Sequence, residues 1–448
     1  MMAGVIIKEM NVKTIKIFCG MLAMLAFTAC SSDNDERADA PRFYNVTLTA
    51  SMGDAETRAL SVDGNVITAS FAAGDKVKVL KSDGTEVGEL TAKTAEPSTT
   101  LDGTISGTFS VNEVLTFRYR SATANYDGQV GTLAGIADNQ DYAEGTLTVS
   151  TTEPLTFESN SVTLSAKQSI TKFTFKDAST DAAVSVKTFG IAAVGLVQNI
   201  AANGTPTIGA VTGTLGTAAS DVYIALRNNI DAKQTYAFTV KDNAGNWYTA
   251  TKNTKLTNAK NYTATVKLNK LPALTSGSAV GTIGVVGGLP AIVIVNNNTT
   301  KTAVALMNTG ALCPEAYGTY YTFANLPSGD WYVPSKAELE TLAGFSSSWI
   351  DPAPYGVNGR TFTIGGSTLF LPAAGYIDND VEVGEEPVRS GKVLVSTFGY
   401  YWSQTEVTPS GSMAYSYQFS ASINDTYSEY KVNALTVRPF HALTAPAQ

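Results

Sequence analysis

Hydrophobic and polar residues alternate along residues 43–268 in the way that half-buried β-strands require. In residues 43–50, apolar Val46, Leu48 and Ala50 alternate with polar side chains, which is the two-residue period of a strand with one buried face. The same period recurs in residues 75–80, 86–90, 114–120, 170–175, 222–226, 236–240, 247–250 and 262–268. Many short strands separated by turns predict β-sandwiches, and the length of this region predicts two in series that divide between residues 160 and 180.

The pattern changes after residue 270. Residues 271–278 have the small and turn-forming composition of a linker. Ser335 followed by Glu338 is a capping box, which predicts a helix that ends at Gly344. Aromatic strands return at 399–404. The C-terminal part is therefore predicted to be α+β with little helix.

The N-terminus has the pattern of a secreted lipoprotein. Lysines in residues 13–16 precede the short apolar run 17–27, and residues 27–30 read FTAC, close to the bacterial lipobox. The apolar run is too short to span a bilayer. We therefore predict that residues 1–29 are a signal peptide and that Cys30 becomes the lipidated first residue; an ordinary thiol is the alternative.

Composition argues against several classes of function. Only 16% of the 448 residues are charged, against about 25% in an average globular protein. The formal net charge of −8 disfavours a nucleic-acid partner. The single histidine, His441, and three cysteines, of which only Cys313 would remain a thiol, disfavour zinc sites and Ser-His-Asp hydrolases. The prediction is a protein that is not an enzyme, although paired carboxylates of a glycosidase stay open.

Two sets of residues are candidates for binding. The first is aromatic, because aromatic faces pack against sugars, and core or outward strand positions are the alternative. It comprises Trp349, Tyr355, Tyr415, Tyr417 and Tyr427. The second is Asp378, Asp380 and Glu382, whose clustered oxygens suit Ca²⁺. A solvated acidic loop is the alternative for this set, and no other cofactor is expected.

The N-terminal two thirds resembles the fimbrillin-like family of surface fimbriae in Gram-negative anaerobes. The lipobox carries this resemblance together with residues 55–60 (AETRAL), 67–77 (ITASFAAGDKV), 126–132 (YDGQVGT) and 169–175 (SITKFTF). The resemblance implies two transthyretin-like β-sandwich domains, at 59–170 and 171–270, and a palmitate-bearing outer-membrane lipoprotein exported to the cell surface. It also implies that an Arg-specific protease cuts between Arg58 and Ala59. Residues 30–58 are then a lipid-anchored propeptide that carries the removable first strand.

Removing a strand has a physical consequence of its own. A sheet that loses residues 43–50 keeps unpaired backbone groups and an exposed apolar floor. An extended strand of another subunit can fill that groove by β-augmentation. The alternative is that Arg58 is a solvated residue in a polar turn, since residues 51–57 before it are loop-like, and that it is never cut.

Residues 281–448, after the linker 271–280, resemble C-type-lectin-like domains of the bacterial Lcl and Fibrobacter paralogous-domain type. The residues that carry this resemblance are 331–339 (WYVPSKAEL), 370–376 (FLPAAGY), 401–405 (YWSQT) and 437–440 (VRPF). The resemblance implies a surface that binds a glycan or a host or matrix protein. The calcium-dependent sugar motifs of such domains, Glu-Pro-Asn and Trp-Asn-Asp, are absent, so the ligand stays open.

Together these patterns lead to two hypotheses. The first is a fimbrial subunit at a fibre tip, joined to other subunits by donor-strand insertion after its first strand is removed. Its C-terminal domain would bind glycan or matrix, and the protein would move from the outer membrane to the fimbrium. The alternative is a lipid-anchored surface receptor for glycans or matrix that never polymerises.

Overall fold

The computed structural model describes residues 42–53, 61–63, 66–68, 70–297, 299–352, 354–379 and 392–443. The predicted signal peptide, the lipidation site Cys30, the cleavage site Arg58–Ala59, and the calcium candidates Asp380 and Glu382 all lie outside these residues. The described chain is mostly β, with two short α-helices. The expectation of a mostly β protein is therefore confirmed, while the transthyretin-like and lectin-like assignments and the domain boundaries stay predictions.

The N-terminal strands form a closed sheet, called here the first barrel. The elements in this part of the chain are β1 (Phe43–Met52), β2 (Ser61–Asp63), β3 (Val66–Thr68), β4 (Lys76–Leu80), β5 (Glu86–Ala92), β6 (Ser98–Ser106), β7 (Val114–Tyr119), β8 (Ala124–Asn125), α1 (Leu133–Asn139), β9 (Ala143–Thr152), β10 (Leu155–Phe157) and β11 (Ser161–Ala166). The strand order is β10-β9-β11-β1-β6-β5-β4-β7, and β7 also pairs with β9. This last pairing closes seven strands into a ring, and a closed ring has no free edge.

The inward residues of the first barrel form one hydrophobic core. The turn at residues 82–85 joins β4 to β5 in a hairpin, and Gly84 supplies the positive φ of +88° that this turn requires. The core contains Val46, Leu48, Ala50, Phe71, Val77, Val79, Leu90, Leu101, Ile105, Leu115, Phe117, Val149, Val162 and Leu164. The sequence pattern predicts a sandwich in this region, and the β7–β9 pairing converts the expected two layers into one closed sheet.

The following strands form the second sheet. They are β12 (Ser169–Asp177), β13 (Val186–Ala192), β14 (Leu196–Ile200), β15 (Pro206–Ile208), β16 (Val211–Ala219), β17 (Asp221–Asn228), β18 (Gln234–Asp242), β19 (Trp247–Thr254) and β20 (Asn261–Lys270). Their order is β15-β14-β17-β12-β20-β19-β18-β13-β16, with β8 paired to β14. β16 is the last strand of this order and does not pair with β17, so a gap separates these two strands.

Residues 124–131, called here the crossing segment, fill that gap. The chain leaves the first barrel after β7, runs along the second sheet, forms α1 and returns to the barrel as β9. The backbone of Gln129 donates to the carbonyl of Thr212 and accepts from the amide of Thr214, both at 3.0 Å. Its side-chain amide donates to the carbonyl of Ala225 at 2.7 Å and accepts from the amide of Ala225 at 2.9 Å. One buried glutamine thus joins β16 to β17, because its side chain acts as a second peptide group.

Neighbours of Gln129 complete the closure. The Tyr223 amide donates to the carbonyl of Gly131 at 3.0 Å, and the Tyr126 amide donates to the carbonyl of Gln198 at 2.8 Å. The carboxylate of Asp127 accepts from the amide and the hydroxyl of Thr212 at 2.8 and 2.6 Å. Ala124, Tyr126, Ile136 and Tyr142 belong to the core of the second sheet. Residues that precede 170 in sequence are therefore an integral part of this sheet.

The C-terminal region contains three smaller sheets. Its elements are β21 (Ile283–Val286), β22 (Leu289–Asn296), β23 (Lys301–Ala305), β24 (Tyr320–Thr322), a 3₁₀ turn (Phe323–Asn325), β25 (Trp331–Tyr332), α2 (Lys336–Ala343), β26 (Ser346–Ile350), β27 (Gly359–Ile364), β28 (Ser367–Pro372), β29 (Tyr376–Ile377), β30 (Lys392–Val393), β31 (Gly399–Glu406), β32 (Met413–Phe419), β33 (Asn424–Tyr430), β34 (Ala434–Thr436) and β35 (Phe440–Ala442). The sheet orders are β21-β22-β23-β35-β25, β30-β29-β34-β31-β32-β33 and β26-β27-β28.

The predicted helix is confirmed as α2. Ser335 accepts from the amide of Glu338, and the Glu338 carboxylate accepts from the amide of Ser335 at 2.8 Å, which completes the capping box. Leu339 and Leu342 are fully buried on its inner face. Gly344 ends the helix, with its amide bonded to the carbonyl of Glu340 at 3.0 Å.

A tryptophan joins the second sheet to a turn of the C-terminal region. The two-residue turn Gly287–Gly288 connects β21 to β22, with φ of +52° and +77° that suit glycine. The indole N–H of Trp247, from β19 of the second sheet, donates to the carbonyl of Gly288 at 2.8 Å. The indole N–H of Trp331, from β25 of the C-terminal region, donates to the adjacent carbonyl of Gly287 at 3.0 Å. Two successive carbonyls of one turn are thus bonded by indole groups.

Candidate functional site: the first strand of the first barrel

β1 lies in the interior of the first barrel, between β6 and β11. It pairs antiparallel with β6 over nine residue pairs that involve residues 43–51. It pairs parallel with β11 over four residue pairs that involve residues 49–52. A closed barrel has no free edge. Loss of β1 would open the barrel and leave β6 and β11 as two free edges.

The inward side chains of β1 belong to the barrel core. Val46, Leu48 and Ala50 expose 6%, 4% and 0% of their surface, which confirms the buried face predicted by their alternation. At the N-terminal end, the Tyr44 ring packs edge-on against Phe109 with a centroid distance of 5.6 Å. The inward side chains of β1 are therefore Tyr44, Val46, Leu48, Ala50 and Met52, of which Ala50 is the smallest and is fully buried.

The outward side chains of β1 make polar contacts at the surface. The hydroxyl of Thr47 donates to the Asp102 carboxylate at 2.9 Å, and the hydroxyl of Thr104 donates to the amide oxygen of Asn45 at 3.1 Å. Lys93 lies 2.9 Å from the same Asp102 carboxylate and, together with Thr47, lowers its pKa. Exposed contacts of this kind contribute little to stability. Backbone pairing and the three buried side chains therefore hold β1 in place.

The C-terminal end of β1 borders a cavity. The amide of Gly53 donates to the carbonyl of Leu164 at 2.8 Å, so the pairing with β11 continues into the predicted loop 51–57, whose first two residues belong to β1 instead. The cavity has a volume of about 520 Å³ and is lined by Ser51, Met52, Gly53, Thr163, Ser165, Ala166, Ala259 and Lys260. The position of β1 would be continuous with this cavity if the strand were removed.

Loss of β1 would have a large energetic cost for the barrel. Each backbone hydrogen bond contributes roughly 0.5–1.5 kcal/mol net, and an orphaned buried group costs roughly 1–3 kcal/mol. The core on which Val46, Leu48 and Ala50 pack would also meet water. Such a slot would bind another extended strand strongly, because that strand would restore both contributions.

The aromatic candidates do not form one surface. Tyr417 is fully buried, and its hydroxyl donates to the side chain of Asn424. Tyr415 lies on the same face of β32 near the surface, with the ammonium of Lys336 4.5 Å from its ring centre. Tyr427 on β33 lies opposite Ser416, on the other face of this sheet, and exposes 44% of its surface.

The other two aromatic candidates pack against core residues. The Trp349 ring lies 6.5 Å from the ring of Phe419, and the Tyr355 ring stacks on Phe370 at 4.1 Å. Trp402, within the 401–405 motif, is fully buried, and its indole N–H donates to the carbonyl of Tyr321 at 2.6 Å.

Of the predicted calcium ligands, Asp378 follows β29 within the described residues, and Asp380 and Glu382 do not belong to them. Among the residues that the structure describes, no group of three His, Cys, Asp or Glu side chains is arranged to hold a metal ion. In the same residues, no helix is long and apolar enough to cross a membrane.

The junction between the second sheet and the C-terminal region contains buried ionisable groups. Cys313 is buried against Gly190 of β13, and burial raises the pKa of its thiol. Glu315 is 5% exposed, and burial raises its pKa to about 7, although Cys313 and the guanidinium of Arg438 favour the ionised form. Arg438, within the predicted 437–440 motif, is fully buried and donates to the carbonyls of Ala305 and Phe370 at 3.2 and 3.1 Å.

A second concave feature lies at the same junction. This cleft has a volume of about 620 Å³, and its lining includes Val194, Ile208, Ile230, Tyr317, Val357 and Val395. The hydroxyls of Tyr317 and Ser396 are 3.1 Å apart at its edge. None of the five aromatic candidates lines it.

Sequence reasoning identified β1 but not the groups that surround it. Gln129 is the most consequential residue that it missed, because residues 126–132 show no alternation and read as a polar, glycine-containing loop. A weak signal exists in the pair Tyr126 and Gln129, which are large side chains in a stretch of otherwise small ones. Glu315 gave no signal, since burial of a carboxylate cannot be seen in a sequence.

No protein-family profile matches the sequence, and no curated protein matches it. Several solved structures are similar to it over about half of its length. A fimbrial assembly protein of Parabacteroides distasonis is 11% identical, with a TM-score of 0.27, covering 57% of this chain and 96% of that one. A Bacteroides ovatus protein assigned to cell adhesion is 12% identical, with a TM-score of 0.32, covering 51% and 96%. The shaft pilin of Lactobacillus rhamnosus GG is 14% identical, with a TM-score of 0.23, covering 52% and 100%.

These neighbours are thus proteins assigned to cell adhesion, fimbrial assembly and pilus shafts, at low identity. TM-scores of this size do not establish a shared fold. The topology of the first barrel is therefore the stronger evidence about function.

Proposed function

We propose that this protein is a subunit of a cell-surface fimbrium and that it joins other subunits by strand exchange. In this proposal β1 completes the barrel in the precursor, a protease cuts between β1 and β2, and the strand leaves. An extended segment of another subunit then enters between β6 and β11 by β-augmentation. The new strand restores the backbone pairing and covers the apolar core.

The observation that carries this proposal is the place of β1 in the chain and in the sheet. β1 is paired with a neighbouring strand on each side, and it precedes every other strand of the barrel in sequence. One cut between residues 53 and 61 would therefore separate β1 from every later strand of the protein. Release of any other strand of the barrel from the protein would need two cuts, because described strands precede and follow it in the chain.

The proposal includes the route of the precursor. Residues 1–29 would be removed, an acylated Cys30 would anchor the precursor in the outer membrane, and cleavage between Arg58 and Ala59 would release the protein from its own lipid. Determining the N-terminus of protein extracted from the cell surface tests this route. We expect Ala59 as the first residue, and an acylated Cys30 on all surface protein would contradict it.

We also propose that this subunit caps a fibre end and binds a glycan or a host or matrix protein through its C-terminal region. One observation supports the tip position: β35, the last described strand, lies between β23 and β25 in its sheet. A strand that is paired on both sides cannot be donated without breaking that sheet. Immunolabelling should mark fibre ends, and even labelling along the fibre would contradict the proposal.

The ligand proposal has a direct test on the full chain. Glycan and matrix-protein arrays should reveal a ligand, and pretreatment with a chelator should decide whether calcium is needed. We propose no catalytic role, in keeping with the buried Cys313 thiol and with His441, whose ring packs 5.0 Å from Trp331. The alternative is a tethered receptor that keeps β1. Retained lipid and no co-purifying subunits would select it.

A further inference from the structure

We propose that the slot between β6 and β11 accepts a strand of one direction and one order of side-chain sizes. The donor runs in the direction of β1, places an apolar side chain at every second position, and has a small residue where Ala50 now lies. This inference rests on the proposed function, because it specifies the partner segment that strand exchange would use.

The direction follows from the unequal lengths of the two pairings. β1 pairs with β6 in antiparallel orientation over nine residue pairs, and with β11 in parallel orientation over four. A donor in the opposite direction would make the long pairing parallel and the short one antiparallel. Antiparallel pairing is the more stable per residue. The direction of β1 therefore keeps the better geometry on the longer edge.

The order of sizes follows from the shape of the slot. At its N-terminal end Tyr44 is half-buried beside Phe109, so this end accommodates an aromatic ring. Ala50 is fully buried, opposite Thr99 on β6 and Val162 on β11, which are 3% and 2% exposed. A close-packed interior does not absorb three added carbon atoms at such a position without strain. The slot is therefore tightest at Ala50, whose neighbours on the inward face are the larger Leu48 and Met52.

The outward face of the donor is less constrained. Thr49 is exposed, and Thr47 contacts Asp102 only through its hydroxyl. Beyond position 52 the cavity of about 520 Å³ gives a longer donor room to continue toward Lys260. Specificity therefore comes from the inward positions, above all from the residue that replaces Ala50.

The test uses the full chain with a site for a sequence-specific protease in place of residues 54–58. After the cut, labelled synthetic peptides compete with β1 for the slot, and their affinity is measured by fluorescence anisotropy. The reference peptide has the sequence of residues 43–52. Three others carry Ala50→Leu, carry Thr49→Leu, or contain the same residues in reverse order. The two leucine peptides are a matched pair, because the same side chain is added at adjacent positions on opposite faces.

We expect the reference and Thr49→Leu peptides to bind within about threefold of each other, because surface changes have small effects. We expect the Ala50→Leu and reversed peptides to bind at least about tenfold more weakly. Equal binding of either of these would overturn the inference and leave strand exchange intact. If even the reference peptide fails to bind a cut chain that circular dichroism shows to be folded, the proposed function fails and the inference fails with it.

Discussion

One segment closes the first barrel and another closes the second sheet, and the two segments differ in how they are connected. β1 closes the first barrel through backbone pairing and three buried side chains, and only its C-terminal end is connected to the later strands. The crossing segment closes the second sheet, is attached on both sides, and is bonded by the backbone and the side chain of Gln129. A single cut can therefore free β1, whereas the crossing segment would need two.

Under the proposed function, this difference separates the strand that is exchanged from a segment that stays in place. The crossing segment also belongs to the core of the second sheet, so it holds the second sheet to the first barrel.

The largest expected effect is the response of amide hydrogen exchange to removal of β1. After the cut and displacement of the strand, amides of β6 and β11 should lose protection, because their partner is gone. Amides of β16 and β17 should stay protected, because the crossing segment remains in place. Mass spectrometry of the cut and intact full chains measures both. Equal loss of protection in the two sheets would contradict the distinction.

The next effect concerns the glutamine that closes the second sheet. Gln129→Met keeps the approximate size of the side chain but leaves the amide and the carbonyl of Ala225 without their partner. Two orphaned buried groups should lower the free energy of unfolding by roughly 2–6 kcal/mol, which denaturant titration measures. Gln418→Met is the control, because the Gln418 amide bonds the Ser416 hydroxyl at a half-buried site. A Gln129→Met loss no larger than that of the control would show that the side chain does not close the sheet.

A third comparison uses adjacent positions of β1. Leu48→Ala should destabilise the uncut chain by roughly 2–4 kcal/mol, because it removes buried carbon atoms from the barrel core. Thr47→Ala, on the exposed face, should change stability by about 0.5 kcal/mol or less. Thermal unfolding of both variants measures the difference. Similar losses of stability in the two variants would mean that Leu48 does not lie in the barrel core with Thr47 on the exposed face.

The smallest expected effect is a pH dependence at the far side of the second sheet. Glu315 has a pKa of about 7, above the ordinary 4.5 of a glutamate, so the folded state holds its proton more tightly than the unfolded state. Its contribution is complete below about pH 4.5 and is lost as the pH rises through 7. That difference in pKa corresponds to roughly 3 kcal/mol at most.

Glu315→Gln should remove this part of the decline in stability between pH 5 and 8. The control is Glu96→Gln, which changes an exposed carboxylate and should leave the decline as it is. Denaturant titrations at several pH values test the pair. An unchanged decline in Glu315→Gln would place the titrating group elsewhere.

The sequence predicted the local parts of this architecture and missed the long-range ones. The alternation of Val46, Leu48 and Ala50 predicts a strand with one buried face, and the structure has that strand. Nothing in the alternation says that the strand lies between β6 and β11, because those partners begin 46 and 109 residues after residue 52. The capping box of α2 was predictable for the opposite reason, since its residues bond each other within one turn.

The candidate aromatic surface shows the same limit. Tyr415 and Tyr417 share a face of β32 by their spacing, but only Tyr417 is covered, by Phe362 and Asn424. Spacing gives the face of a strand, whereas burial depends on what folds over that face from elsewhere in the chain. For the same reason, a sequence could not show that Gln129 replaces a peptide group in a sheet.

The turn at Gly287–Gly288 has a mechanical consequence. The indole of Trp247, from the second sheet, bonds the carbonyl of Gly288, whereas the indole of Trp331, from the C-terminal region itself, bonds the adjacent carbonyl of Gly287. A pull on the C-terminal region would therefore load the Trp247 bond, while the Trp331 bond holds the turn to β25. Tension at this point would pass through the turn into β19 of the second sheet.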